Sequence, residues 1–169
     1  MIKGSNKNSR PADALGKLIT TAQTATHAVD DAAALWLGIN RTDLRCLGVL
    51  IERGPLSASA LAEAIGLSKG AMTVALDRLE RAGLITREHS NQDRRRVTVG
   101  VTATARQAIA RLWQPIAQEG YDLLETYGDE ERALLSRFFE DYIRLQEKHA
   151  ARIRNLRRAP PRTAASAEA

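Results

Sequence analysis

The sequence predicts a mainly α fold: a winged helix-turn-helix with a two-stranded β hairpin, flanked by N- and C-terminal dimerisation helices. Three observations carry this prediction. Apolar residues recur at helical spacing along most of the chain, and aromatics make up only 4% of it, thin for a sandwich or barrel. Two short helical segments meet at a glycine turn around Gly66. The period then changes to strand alternation on both sides of a polar loop. With 169 residues, 44% hydrophobic and 27% charged, the chain can bury a core, but it has room for one domain plus a dimerisation extension.

Residues 1–12 are polar and rich in turn formers, which predicts a flexible arm. In residues 13–38, Leu15, Leu18, Ile19, Ala22, Ala25, Val29, Ala33 and Trp36 recur at spacings of three, four and seven, an amphipathic helix that stops at Gly38. The expected DNA-binding lobe covers residues 39–103. It opens with Asn40 as N-cap of a helix through Leu44, Leu47, Leu50 and Ile51, ended by Gly54-Pro55. Ser57 caps a short helix over residues 58–65, closed by Gly66. Ser68 caps the next, over residues 69–82, closed by Gly83. Residues 84–88 and 96–101 are strand-prone, with Val97, Val99 and Val101 alternating with Thr98 and Gly100 across the hairpin. Thr102 caps a helix that Pro115 kinks without ending, and residues 104–158 hold the linker and dimerisation helices. Gly128-Asp129 breaks the chain before a last helix with Leu134, Leu135, Phe138, Tyr142 and Leu145 on one face. Residues 159–169 lack core formers and read as a disordered tail.

Locating the charge gives it meaning. The formal charge is +5, from 25 Lys and Arg against 20 Asp and Glu. Between Lys69 and Arg111 stand nine basic and four acidic residues, so this quarter of the chain holds an excess equal to the whole. Arg94, Arg95 and Arg96 occupy the hairpin tip, where a guanidinium can enter a minor groove; a solvated turn is the plainer use of such a run. At the start of the second helix of the pair, Ser68 caps the helix and can also meet a phosphate. Gly70 lets the helix backbone approach DNA, unless it is only filler, and Thr73 is the candidate for a base-edge or methyl contact. Lys69, Arg78 and Arg81 suit phosphates, with a solvent-side pairing beside Asp77 as a second use for Arg78.

Leu61-Ala62, Gly66-Leu67-Ser68, the run Leu76-Asp77-Arg78-Leu79-Glu80-Arg81-Ala82-Gly83-Leu84, and Asp93-Arg94-Arg95-Arg96 together resemble the winged helix of MarR-type transcriptional regulators. The likeness is sharpest from Asn40 to Ala108; the flanking helices match in placement more than in residues. The sequence departs from the pattern at Gly100-Val101-Thr102 and at Ala105. The resemblance implies an obligate homodimer whose dimer domain joins the N- and C-terminal helices. It also implies that Asp93 holds the hairpin arginines by a salt bridge and that Arg95 enters the minor groove. By the same likeness, a small aromatic or phenolic effector binds in a crevice between dimer domain and winged helix. His27, Trp36 and Trp113 are candidates for its wall, with dimer core as the plainer reading.

Other chemistries find little support. His27, His89 and His149 are scattered, and no metal-ligand spacing, glycine-rich phosphate loop or GxSxG motif occurs, so neither enzyme, metal nor cofactor is expected. Cys46 is alone, which excludes an intramolecular disulfide, and its place beside Leu47 and Leu50 suits buried filler better than a sensor. No apolar run approaches the ~20 residues of a membrane span, and no signal-peptide core opens the chain, so a cytoplasmic location is expected. The expected function is sequence-specific binding of double-stranded DNA by a homodimer on a pseudo-palindromic operator, as repressor or activator, with release by a small molecule. The alternative is a winged helix used for protein contact through a coiled-coil-like helical interface.

Overall fold

The chain folds as α1 (Pro11–Trp36), α2 (Arg41–Arg53), β1 (Leu56–Ser57), α3 (Ala58–Ile65), α4 (Lys69–Arg81), β2 (Ile85–His89), β3 (Val97–Val101), α5 (Ala103–Glu125) and α6 (Asp129–Arg158). The structure is a computed structural model that describes residues 10–89 and 97–158. The helix-turn-helix and hairpin form where the spacing predicts them. Local chemistry sets each boundary. Asn40 accepts from the Asp43 N–H at 2.9 Å, Ser57 from Ala60 at 3.2 Å, Ser68 from Ala71 at 3.2 Å and Thr102 from Ala105 at 3.1 Å, each filling a donor the helix start leaves open. Gly66 ends α3 at φ 79° and ψ 34°, a left-handed cap that makes the turn to α4 tight.

Two details differ from the sequence expectation. The first helix begins at Pro11, whose fixed φ and missing N–H suit a first helical position, so it takes in the end of the expected arm. The hairpin also acquires a third strand. β1 pairs antiparallel with β3, Leu56 against Val99 and Ser57 against Thr98, giving the order β1-β3-β2. Two residues are too few to show a period of two, and Ser57 reads first as a cap.

The chain divides into two units, residues 1–114 and 115–169. In the first, Leu47 and Leu50 of α2, Leu61 of α3 and Leu79 of α4 are all fully buried in one core, joined by Met72, Leu76, Ile85 and Val99. Each such leucine contributes about 1.5–3 kcal/mol by burial. A smaller cluster packs Ala33 and Ala34 of α1 and Leu44 of α2 against Leu37, Leu112 and Trp113. Most of the apolar stripe of α1 is uncovered: Leu15, Leu18, Val29 and Trp36 are exposed. In the second unit, Arg132 donates to the carbonyls of Leu124 and Tyr127, tying the start of α6 to the preceding turn. Phe138 packs edge-on to Phe139 and stacks on Tyr142, while Leu134, Phe139, Ile143 and Leu145 are exposed. No helix among the described residues is long and apolar enough to cross a membrane.

Candidate nucleic-acid interface

α4 has two faces because its apolar residues recur at helical spacing. Met72, Ala75, Leu76 and Leu79 are buried in the core, while Ser68, Lys69, Gly70, Thr73 and Val74 are exposed, Val74 at 57%. The exposed residues gather at the N-terminal end, where small side chains leave the backbone approachable. Ser68 is the cap described above. The Thr73 hydroxyl donates to the Lys69 carbonyl at 3.1 Å, which leaves its oxygen able to accept. A groove of about 740 Å³ runs beside this end, walled by Ser57 and Ser59, Lys69 and Thr73, and Val97 and Thr98 of β3. In the sequence Ser57 reads as a cap and Thr98 as a strand residue, and Ser59 is unmarked; that they wall a groove with α4 follows only from the packing of α3, β1 and β3.

The cations divide between inward and outward roles. Arg87 of β2 bridges Asp77 at 2.5 Å and Glu80 at 3.1 Å, fastening the hairpin base to α4. Arg78 has a partner the sequence did not suggest. Its Nε and Nη2 donate to the two oxygens of Asp43 at 2.8 and 2.6 Å, and the Asp43 side chain is fully buried. The solvent-side pairing expected beside Asp77 is therefore replaced by a fork reaching into α2. That hydrogen bond, ahead of the charge itself, holds the Arg78 guanidinium above its ordinary pKa. Lys69 and Arg81 are exposed and without an ion-pair partner among the described residues. Asp93, Arg94, Arg95 and Arg96 lie outside the described residues.

The hairpin is anchored at its base. Thr102 donates from its hydroxyl to the Gly83 carbonyl at 2.9 Å while that oxygen caps α5. Along α2 lies a mostly apolar cleft of about 450 Å³ whose wall includes Asp30, Arg41, Arg45, Leu44, Ile51 and Trp113. Trp113 thus lines this cleft, whereas His27 and Trp36 are not in its wall, and both are exposed. Arg41 pairs with Asp31 at 3.1 Å and Asp30 at 3.7 Å, and Arg45 donates to the Ile65 carbonyl at 3.2 Å. Cys46 is fully buried, and burial first, then the charge of Asp43, pushes its thiol up to about 11. Among the described residues no group of His, Cys, Asp or Glu could hold a metal ion.

Residues 39–97 match the MarR family. Over 131 residues the chain is 35% identical to the HTH-type transcriptional regulator YcgE of Bacillus subtilis, covering 78% of this chain and 85% of that protein. The chain belongs to the MarR family. Two solved MarR-like folds superpose on it: S. aureus MepR in complex with DNA, and NadR in complex with 4-hydroxyphenylacetate. MepR gives a TM-score of 0.60 at 19% identity, over 78% of this chain and 98% of that one. NadR gives 0.56 at 23%, over 84% and 97%. This MarR protein is accordingly a DNA-binding transcriptional regulator with a winged helix-turn-helix, in a family of regulators and not of enzymes.

Proposed function

We propose that the protein binds a pseudo-palindromic operator as a homodimer and is released from it by a small aromatic or phenolic anion. The carrying observation is the two-faced α4, with Ser68, Lys69, Gly70 and Thr73 exposed at its N-terminal end and Met72, Leu76 and Leu79 anchoring the other side. In this reading α4 enters a major groove: Lys69 meets phosphate, the Ser68 cap lies at the helix end that favours anions, and Thr73 touches a base edge or a thymine methyl. The tip arginines Arg94, Arg95 and Arg96, held by Asp93, enter the neighbouring minor groove. Two copies related by a two-fold axis place their reading helices about one helical turn, ~10 bp, apart.

The uncovered apolar residues of α1 and, separately, of α6 support the homodimer, since a second copy would remove them from water. The cleft at Trp113 supports the effector, for its volume falls in the range of ligand pockets and its wall is mostly apolar with a few polar groups, Arg41, Arg45 and Asp30. NadR, whose fold this chain shares, is seen with a phenolic acid bound.

The test is a fluorescence-anisotropy titration on DNA from upstream of the protein's own gene, beside a scrambled duplex. Tight binding to the first and weak binding to the second is expected. Arg95→Ala should weaken operator binding and lower its salt dependence; an unchanged affinity at two salt concentrations removes the hairpin from the interface. A protein that ignores both duplexes would favour the protein-contact alternative.

A further inference from the structure

We propose that Asp43 is a positioning residue for DNA recognition: from inside the lobe it grips Arg78 and so sets the rotation and height of α4, and Arg78 serves as an inward strut, not as a phosphate anchor. The proposal rests on α4 being the helix that reads DNA.

The geometry is specific. Asp43 and Arg78 are 35 residues apart, yet both carboxylate oxygens accept from one guanidinium edge, at 2.8 and 2.6 Å. A two-point fork fixes direction as well as distance, which a single bond or a lysine ammonium cannot do. The fork is rigid at its α2 end, because Asp43's own N–H is held by the Asn40 cap at 2.9 Å and its side chain is fully buried. At the other end, Arg78 lies five residues after Thr73 on the same helix, so a rotation of α4 that misplaces Thr73 also moves the backbone of Arg78 and strains the fork.

Apolar packing alone gives weaker control. Met72, Ala75, Leu76 and Leu79 bury α4, but hydrophobic burial is non-directional and a small roll or slide leaves most of it intact. Base readout does not tolerate such a roll, since hydrogen bonds weaken steeply with distance and angle. A second tie leaves α2 two residues further on, where Arg45 donates to the carbonyl of Ile65 at the end of α3 at 3.2 Å. α2 therefore holds both helices of the helix-turn-helix by side chains, one on each.

A strut and a phosphate anchor differ in what their loss does. Losing an anchor weakens every duplex alike and lowers the salt slope by about 0.9 for each phosphate contact. Losing a strut leaves the phosphate contacts and the slope in place, and lowers only the preference for the operator.

Two variants test this. Arg78→Lys keeps the charge and loses the fork. Asp43→Asn with Arg78→Gln removes both charges together, so no carboxylate is left buried and alone, and net charge is unchanged. Both are measured by anisotropy on operator and scrambled duplexes across a salt series, at a temperature where circular dichroism shows them folded. Each variant should lose tenfold or more on the operator and stay within about twofold on the scrambled duplex, with the salt slope unchanged. Equal weakening on both duplexes with a shallower slope in the double variant would make Arg78 a phosphate anchor and overturn the proposal. Wild-type binding to both would reduce the pair to a structural contact, which overturns it too. Thr73→Ala separates the premise from the proposal: if it leaves the operator preference untouched, α4 is not the reading helix.

Discussion

Gly70 offers a substitution whose effects on stability and on DNA binding should have opposite signs. It is the second residue of α4, exposed, with backbone that any residue can adopt, and a Cβ built there meets nothing within 4 Å. Gly70→Ala therefore introduces no clash in the free protein, and it restricts the unfolded chain. It should stabilise the fold by roughly 0.5–1 kcal/mol. For a chain of this size that raises Tm by about 1–4 °C, compared at equal protein concentration because the proposed dimer would make Tm concentration-dependent. On DNA the same methyl stands on the face proposed to enter the groove. If the backbone approaches the bases there, forcing a methyl into that contact should cost about 1–3 kcal/mol. In affinity this is a loss of roughly 5- to 150-fold. Calorimetry reads the first effect, and anisotropy on the operator duplex the second. A variant that melts higher and binds as tightly as wild type would show that Gly70 is helix filler and that α4 does not approach DNA closely at this point.

Thr102 joins the hairpin base to α5 by capping Ala105 and bonding the Gly83 carbonyl, so Thr102→Ala should lower unfolding free energy by about 1–2 kcal/mol while Thr102→Ser retains most of it. A urea titration in which the alanine variant matches wild type would dismiss both bonds. Cys46, raised from 9.0 to about 11, stays protonated in the folded protein at a pH where the unfolded chain ionises. The unfolded state then binds fewer protons, so stability present below pH 9.0 is lost as pH climbs toward 11, about 2 kcal/mol by pH 10.5. Urea unfolding of wild type beside Cys46→Ala from pH 8 to 10.5 should show that gap change; a constant gap refutes the shift. Trp113 in the wall of the cleft should report a phenolic acid by fluorescence, and Trp113→Phe should abolish the signal that wild type gives, leaving Trp36 as an exposed reference. An undiminished signal would place the ligand elsewhere.

What was legible in the sequence follows the range of the forces involved. Caps act over three residues, so Asn40, Ser57, Ser68 and Thr102 each announce a helix start that the structure realises. The turn at Gly66 is equally local, because a left-handed backbone selects glycine whatever surrounds it. The exposed end of α4 is legible as well, since helical spacing alone separates Thr73 from Met72, Leu76 and Leu79. The Asp43–Arg78 fork is different: nothing near either residue marks the other, and Asp43 stands in the first turn of α2, where the helix dipole already accounts for an acid. β1 escaped for want of length. The cleft could be seen only in part, because membership depends on tertiary packing, and Trp36 is exposed and outside the wall that Trp113 lines.

Pairing also changes what the charge count means. Counted along the chain, the excess between Lys69 and Arg111 is five. In the fold, Arg78 turns inward to an acid outside that segment, and Arg87 holds two acids within it, Asp77 and Glu80. Setting aside Arg78 and Arg87 with Asp77 and Glu80 removes equal numbers of each sign, so the excess survives, though its members change. What remains is Lys69 at the head of α4, Arg81 at its end, Arg106 and Arg111 on α5, and Arg94 to Arg96 in the segment between β2 and β3, against Glu88 and Asp93. Screening confines each exposed charge to about 8–10 Å, so position decides which of these a phosphate feels. The salt dependence of operator binding should therefore respond to Lys69 and to the hairpin tip and be indifferent to Arg78, although by sequence alone the three are equal cations. A sum read from sequence can be right while the residues that make it act are other than the ones it suggests.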